Sequence, residues 1–329
     1  MIKNTFSKGV ESLVNPMEVG ALQFLQTFPQ KLPKSLQKKL VKSSAEKIPY
    51  MGFVVEPYAF FLCYEIIDLK KARELLPAGF DLIKTKIFED DEPKYYCIFG
   101  CFKTHTSAFW GARAEFYVIA EDKQTGLLSW IIIDYDTNTL SYDNKNALRL
   151  PNSTKGLITI NYSGRLFVDI KKDDKSRELV FDSEIEKGKM KGLDQRLWLE
   201  GNLSIGYGRV LSDGNEDVFS LKFDPGEVER ALQIPLEALN LISNKWYPGL
   251  FEAIPSQVLC FPYAQHFISD SPGRSSNIKN KEELVAEVEA INFDHLEVFS
   301  TKSFKTMFLV GGIISALITT TLVILLIFT

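Results

Sequence analysis

Arg113, Glu115 and Tyr117 stand at every second position of the run GARAEFYVIAED, residues 111–122. An arginine fork binds a carboxylate or another anionic head group bidentately. A glutamate beside it acts as a general acid or base if burial raises its pKa. Tyr117 and His105 would add hydrogen bonds, and Trp110 would add apolar bulk to the same segment. These residues would suit the binding of a small anionic or lipid-like molecule, with Glu115 and Arg113 as the catalytic pair if the site turns it over. The same spacing is also that of a surface ion pair, which contributes almost nothing.

The elements that must position these residues follow from their neighbours. Between the polar positions lie Ala112, Ala114, Phe116 and Val118, the alternation of a strand with one apolar and one polar face. The small alanines suit a face that another element approaches closely. Arg113, Glu115 and Tyr117 are therefore expected to point inward, with the alanines and Phe116 packed outside against helices or a second layer. Around this strand the chain reads mostly as further strands: YAFFLCYEII, DLIKTKIF, PKYYCIFGCFK, LLSWIIIDYDTNTLSYD, LITINYSGRLFVDIK, RLWLEGNLSIGYGRV and DVFSLKF. DLKKARELLPAGF is a short helix stopped by Pro77 and Gly79. After residue 223 the period changes. DPGEVERAL, PLEALNLIS and PGLFEAI each begin at or beside a proline and are expected as short helices, before one last strand in QVLCFPYAQHFI. The expected fold is mainly β, a curved antiparallel sheet or cone-like barrel with short flanking helices.

ELLPAGFDL before a strand, then GARAEFYVIAED, then the hairpin WIIIDYDTNTLSYD, resembles the acetoacetate decarboxylase-like superfamily in the order of its elements over residues 57–267. The resemblance implies a sheet closing around an internal cavity and a glutamate on the central strand facing it, at Glu115. It also marks a departure. The decarboxylases of that superfamily form a Schiff base through a lysine just after this strand's glycine, and residues 116–119 contain none. Lys123 comes later, beside a turn. A Schiff-base lysine needs desolvation or a neighbouring cation to depress its pKa, and no lysine pair sits in an apolar strand here.

Other chemistry is set aside on sequence grounds. A net charge of −4 gives no reason to expect nucleic acid as a partner. The chain lacks the glycine-rich phosphate loops, the HExxH zinc helix and the GxSxG elbow. Its histidines, His105, His266 and His295, fall in unrelated contexts, so no metal and no cofactor is expected. His266 reads as a buried structural imidazole. Cys63, Cys97, Cys101 and Cys260 read as buried free thiols, because Cys97 and Cys101 are spaced wrongly for a CxxC pair.

The two ends differ from the middle. Residues 307–328 carry no charge, and at 1.5 Å per residue they span roughly 33 Å, a bilayer core. This predicts a C-terminal transmembrane anchor, inserted after translation because only Thr329 follows it. Lys302 and Lys305 precede it, and residues 1–19 have no apolar core of signal-peptide length. The body is therefore expected to face the cytoplasm. Residues 1–47 form a basic segment in which Leu32, Leu36 and Leu40 would line one helix face, suited to an anionic membrane surface or to ordinary packing on the body. A β domain over 48–268, a polar linker with a short acidic helix over 269–305 and the anchor over 306–329 complete the division. Two functions fit: a membrane-held β-barrel protein binding a small anionic or lipid-like molecule, as a lyase-type enzyme or not, and a non-catalytic membrane-bound lipid-binding or interaction scaffold.

Overall fold

The computed structural model describes residues 2–14, 33, 35, 51–106, 110–139, 141–143, 147–212, 214–269, 278–296 and 301–328. The segment carrying Leu32, Leu36 and Leu40 lies outside the described residues. The fold is mainly β. In chain order the principal strands are β1 (Met51–Val55), β2 (Ala59–Glu65), β3 (Lys94–Thr106), β4 (Trp110–Asp122), β5 (Leu128–Thr137), β6 (Leu157–Ile160), β7 (Arg165–Lys171), β8 (Glu178–Glu184), β9 (Lys189–Gly192), β10 (Ile205–Tyr207), β11 (Leu221–Phe223), β12 (Arg230–Gln233), β13 (Leu239–Asn244), β14 (Gln257–Phe261) and β15 (Gln265–Ser269).

A 14-stranded sheet runs in the order β9, β12, β14, β2, β3, β4, β5, β10 and then the short strand Val218–Phe219. Its pairings are antiparallel except for β5 with β10. The far half of β3 leaves β2 and pairs with β1, which in turn pairs with β15. Among the described residues the path has two unpaired ends, at β9 and at Val218–Phe219, so the sheet is open. The cone-like barrel, one of the two expected forms, does not close.

The second sheet, β6, β7, β8 and β13, supplies the second layer that the alanines imply. Ala112, Ala114 and Phe116 of β4 pack in one core with Leu166 and Val168 of β7 and Phe181 of β8. Burying a phenylalanine such as Phe116 stabilises the fold by about 1.5–3 kcal/mol. The other face of β4 and β5 belongs to a separate core, where Tyr117, Trp130 and Ile132 meet Trp198, Leu203 and Phe261.

The longer helices among the described residues are α1 (Ile2–Leu13), α2 (Leu69–Leu75), α3 (Lys281–Ala290) and α4 (Thr301–Phe328). Asp68 caps α2 by accepting from the Lys71 N–H. Helix α1 is absent from the sequence reading. It buries Phe6 and Val10 against the body, and the Phe6 ring meets Phe293 edge-on at 5.9 Å. Leu284 and Val288 anchor α3. Within α4, residues Leu309–Ile327 form a 19-residue span of mean hydropathy 2.5, none of it buried. That helix is long and apolar enough to cross a membrane, about 29 Å.

Several predicted elements are corrected. RLWLEGNLSIGYGRV is not one strand: a π-helical segment, Arg196–Glu200, and a helical turn, Gly201–Leu203, precede β10. Three consecutive side chains, Leu197, Trp198 and Leu199, are buried, which a strand with one covered face does not allow. Gly201 presses on Trp130, where a Cβ would come within 2.1 Å of the indole. Asp224 does cap its turn, accepting from the Gly226 N–H. Yet only a 3-10 turn, Pro225–Val228, forms before β12. Leu236–Ala238 likewise gives way to β13, and PGLFEAI contains no helix. Proline and cap fix a first turn, but the residues after each turn find sheet partners in β9, β14 and β8. QVLCFPYAQHFI holds two strands, β14 and β15, rather than one.

Candidate functional site

The site is built where β3, β4 and β5 lie side by side. Arg113 stands opposite Phe102 and Thr137, and Glu115 opposite Gly100 and Tyr135. The pairing then slips: Phe116 faces Asp134 but Tyr117 faces Ile132, leaving Ile133 as an extra residue in β5. Such a bulge re-aims the strand beyond it. Trp130 and Ile132 share the core of Tyr117, while Ile131 and Ile133 lie in the core of the second sheet. Past the bulge the parity reverses, and Tyr135 joins the face of Tyr117.

Glu115 accepts two hydrogen bonds there, from the Arg113 Nε–H to Oε1 and from the Tyr117 hydroxyl to Oε2. The Arg113 guanidinium lies over the Tyr135 ring at 3.8 Å, and the Arg149 guanidinium approaches the same ring at 4.6 Å. The Arg113 and Glu115 side chains are only 11% and 9% exposed, which rules out the surface ion pair. Burial pulls the Arg113 pKa down, but Glu115 and the phenols of Tyr135 and Tyr207 outweigh it and hold the guanidinium charged. One of its five N–H donors is spent on Glu115. Neither Nη group has a hydrogen-bond partner among the described residues. Gly100 makes room beside the carboxylate: a Cβ there would stand 2.9 Å from the Phe61 ring and 3.3 Å from that of Tyr117. Tyr117 in turn meets Trp130 edge-on at 4.9 Å.

His105 and Trp110 are placed elsewhere. They pair with each other at the end of the β3–β4 hairpin, stacked at 5.0 Å, and both bond Glu56. His105 Nε2 lies 2.7 Å and Trp110 Nε1 3.0 Å from its Oε1, with Lys103 Nζ 2.5 Å from Oε2. Burial works to raise the Glu56 pKa, but His105, Lys103 and Trp110 together hold it down at about 2. The sequence grouped five residues around one site. The structure joins Arg113, Glu115 and Tyr117, and gives His105 and Trp110 a different carboxylate.

A second charged cluster lies between the sheets. Arg177 donates through Nη1 to Asp134 and through Nη2 and Nε to Asp136, and its guanidinium stacks on Trp246 at 4.2 Å. Asn152 Nδ2 donates to Asp136 at 2.9 Å and the Tyr135 N–H to Asp134 at 2.8 Å. His266 is buried with its Nδ1 2.9 Å from Glu227, the structural imidazole expected. All four cysteines are free and buried, and burial pushes their thiol pKa values up. Among the described residues no group of His, Cys, Asp and Glu is placed to hold a metal ion. Lys123 is exposed at the turn after β4.

Sequence reasoning missed Tyr135, Tyr207 and Gly100. The run DYDT does alternate, but strict alternation from Trp130 puts Tyr135 on the wrong face, because a one-residue bulge leaves no mark in residue type.

No family model and no curated protein matches the chain. Among solved structures it is similar to the acetoacetate decarboxylase of Legionella pneumophila, at 14% identity and a TM-score of 0.40, covering 68% of this chain and 86% of that one. It is also similar to the enduracididine biosynthesis enzyme MppR with HEPES buffer bound, at 10% identity and a TM-score of 0.41, covering 70% and 90%. The first of these carries the name of the family that the sequence resembles. At such identities and TM-scores, neither residue roles nor an activity transfer to this chain.

Proposed function

We propose that this protein binds a small anionic or lipid-like molecule through Arg113, next to the Glu115–Tyr117 pair, and does so at a membrane to which α4 holds it. One observation carries the reading: a largely covered Arg113 side chain that spends Nε–H on Glu115 and its planar face on the Tyr135 ring, yet keeps two Nη groups without a hydrogen-bond partner among the described residues. An open guanidinium fork beside a carboxylate–phenol pair suits a carboxylate or phosphate, so an anion is the partner proposed for it. Glu115 sits one hydrogen bond away, in position to exchange a proton with whatever the fork holds. The body lies on the cytoplasmic side, since Lys302 and Lys305 precede the apolar span Leu309–Ile327 at that end.

A non-catalytic version of the same reading is favoured by one feature. Both oxygens of Glu115 already accept hydrogen bonds, so turnover requires Tyr117 or Arg113 to release one. The test is mass spectrometry of small molecules extracted from the purified full-length protein, wild type against Arg113→Gln. An anionic molecule present in the wild type and missing from the variant is expected. Identical extracts from two equally folded proteins would sink the proposal.

A further inference from the structure

An open cleft of about 650 Å³ lies at the β9 end of the main sheet, remote in sequence from the β3–β5 site. Its volume is in the range of small-molecule sites, ~300–1,000 Å³. One wall is the π-helical segment Arg196–Glu200, a geometry that is rare and found most often at functional sites. The start of α3 also lines the cleft. There the Lys279 N–H donates to Glu283 Oε2 at 2.7 Å, and Asn280 Oδ1 accepts from the Glu283 N–H at 2.9 Å. This reciprocal cap fixes the first turn and the lysines on either side of Asn280.

The charges in the cleft fall into two sets. Lys281 pairs with Glu229 at 2.7 Å, and Arg196 with Glu200 at 3.6 Å. Arg230, Lys279 and Glu89 also line the cleft, and none of the three has an ion-pair partner among the described residues. Arg230 makes only a long 3.4 Å contact to the Met190 carbonyl, and the Glu89 carboxylate rests over Gly192, where a Cβ would meet it at 2.7 Å. Two cations and one carboxylate thus share a cleft without neutralising one another. A simple anion would satisfy the cations and be repelled by Glu89; a simple cation would do the reverse.

We propose that this cleft is a second binding site, which takes a small zwitterion joining a phosphate to a primary ammonium, with the phosphate between Arg230 and Lys279 at the start of α3 and the ammonium on Glu89. A helix N-terminus with two adjacent cations suits phosphate oxygens. A free phosphoamine and a membrane-lipid headgroup share this chemistry. The second has a route, because the last residue of α3, Ala290, is followed within a short connection by α4, which begins at Thr301.

The experiment is calorimetric titration of the full-length protein in phosphatidylcholine nanodiscs at low salt, with O-phosphoethanolamine, inorganic phosphate and ethanolamine as separate probes. O-phosphoethanolamine should bind at least tenfold more tightly than either fragment. Glu89→Gln should erase that preference while phosphate still binds. Arg230→Gln should weaken phosphate and O-phosphoethanolamine alike, by tenfold or more. All are cleft-surface positions, and unchanged thermal unfolding of each variant confirms its fold. The proposal is overturned if the wild type shows no saturable binding of O-phosphoethanolamine, if it binds phosphate equally well, or if neither substitution changes the result. Adding phosphatidylethanolamine to the nanodiscs then distinguishes the source. A drop in apparent affinity for the soluble probe marks the headgroup as the occupant, and an unchanged value marks the free molecule. Extracts of the Arg113→Gln protein report on the other site alone, so the two readings fail separately.

Discussion

Two buried charge clusters lie back to back across β4 and β5. On one side every nitrogen of Arg177 is engaged: Nε, Nη1 and Nη2 each reach Asp134 or Asp136, and Trp246 covers the guanidinium face. On the other side Arg113 gives one donor to Glu115 and keeps two Nη groups open among the described residues. Both arginines are buried and charged, so burial of charge does not separate a fastener from a site. The unfilled donors do. The Arg177 cluster joins the second sheet to the first, a use in which every polar atom should be matched. The Arg113 cluster is matched on one edge only.

Removing each arginine is the sharpest way to break this contrast. Arg177→Ala leaves two carboxylates facing each other in the interior and should lower stability by about 5 kcal/mol, at the top of the range for a broken buried ion pair. Denaturant unfolding of the full chain measures it, and a loss below about 1 kcal/mol would mean the sheets are held together by their apolar core alone. Arg113→Ala should lower stability by about 3 kcal/mol, less because Tyr117 still donates to Glu115. Unlike Arg177→Ala in any folded remnant, it should also remove the bound anion. If both clusters respond alike in stability and in ligand content, the distinction fails.

Smaller changes sharpen it. Glu115→Gln keeps the Tyr117 hydrogen bond and should lower stability by only about 1 kcal/mol. It should leave anion binding in place and abolish any proton-transfer turnover, so binding and product formation measured together separate the roles. Glu56 provides a control outside both clusters. Its pKa falls from 4.5 to about 2 on folding, so it contributes stability above pH 4.5 that is lost as the pH falls toward 2. Glu56→Gln should flatten the acid limb of the stability curve in that window, and a curve that keeps its slope would assign the loss to other carboxylates. The smallest effect is no effect. Borohydride reduction in the presence of a β-keto acid should label no lysine, and a label on Lys123 or any lysine of the body would restore Schiff-base chemistry.

Much of this was legible in the residues. The alternation of 111–122 gave both the strand and its sidedness: Ala112, Ala114 and Phe116 do meet a second layer, and Arg113, Glu115 and Tyr117 do converge. The apolar run at 307–328 stands out in the same way. What stayed hidden depends on pairing rather than on pattern. His105 and Trp110 are close in sequence to Arg113, but hairpin register hands them to Glu56, which lies on the link between β1 and β2. The helix signals at Asp224 and Pro235 were read correctly as first turns and wrongly as whole helices, because neighbouring strands claimed what followed. Tyr135 was lost to a bulge that no residue type announces.

That bulge at Ile133 ties the allotment of charges to the pairing of β5. Deleting this one residue would let Asp134 follow Ile132 in regular alternation, so Asp134 and Asp136 would stay with Arg177 and Tyr135 beside Arg113. Keeping Ile133 but pairing it regularly would instead turn both aspartates toward the aromatic layer of Trp130 and Tyr117, and Tyr135 toward Arg177. Closing the bulge with Ile133 in place would therefore exchange the contents of two compartments at once, emptying the clamp of its acids and stripping Arg113 of its aromatic bed. A strand one residue shorter, without Ile133, should therefore keep acids and aromatic ring in their present compartments, because it is the unpaired residue and not any residue type in β5 that absorbs the odd count.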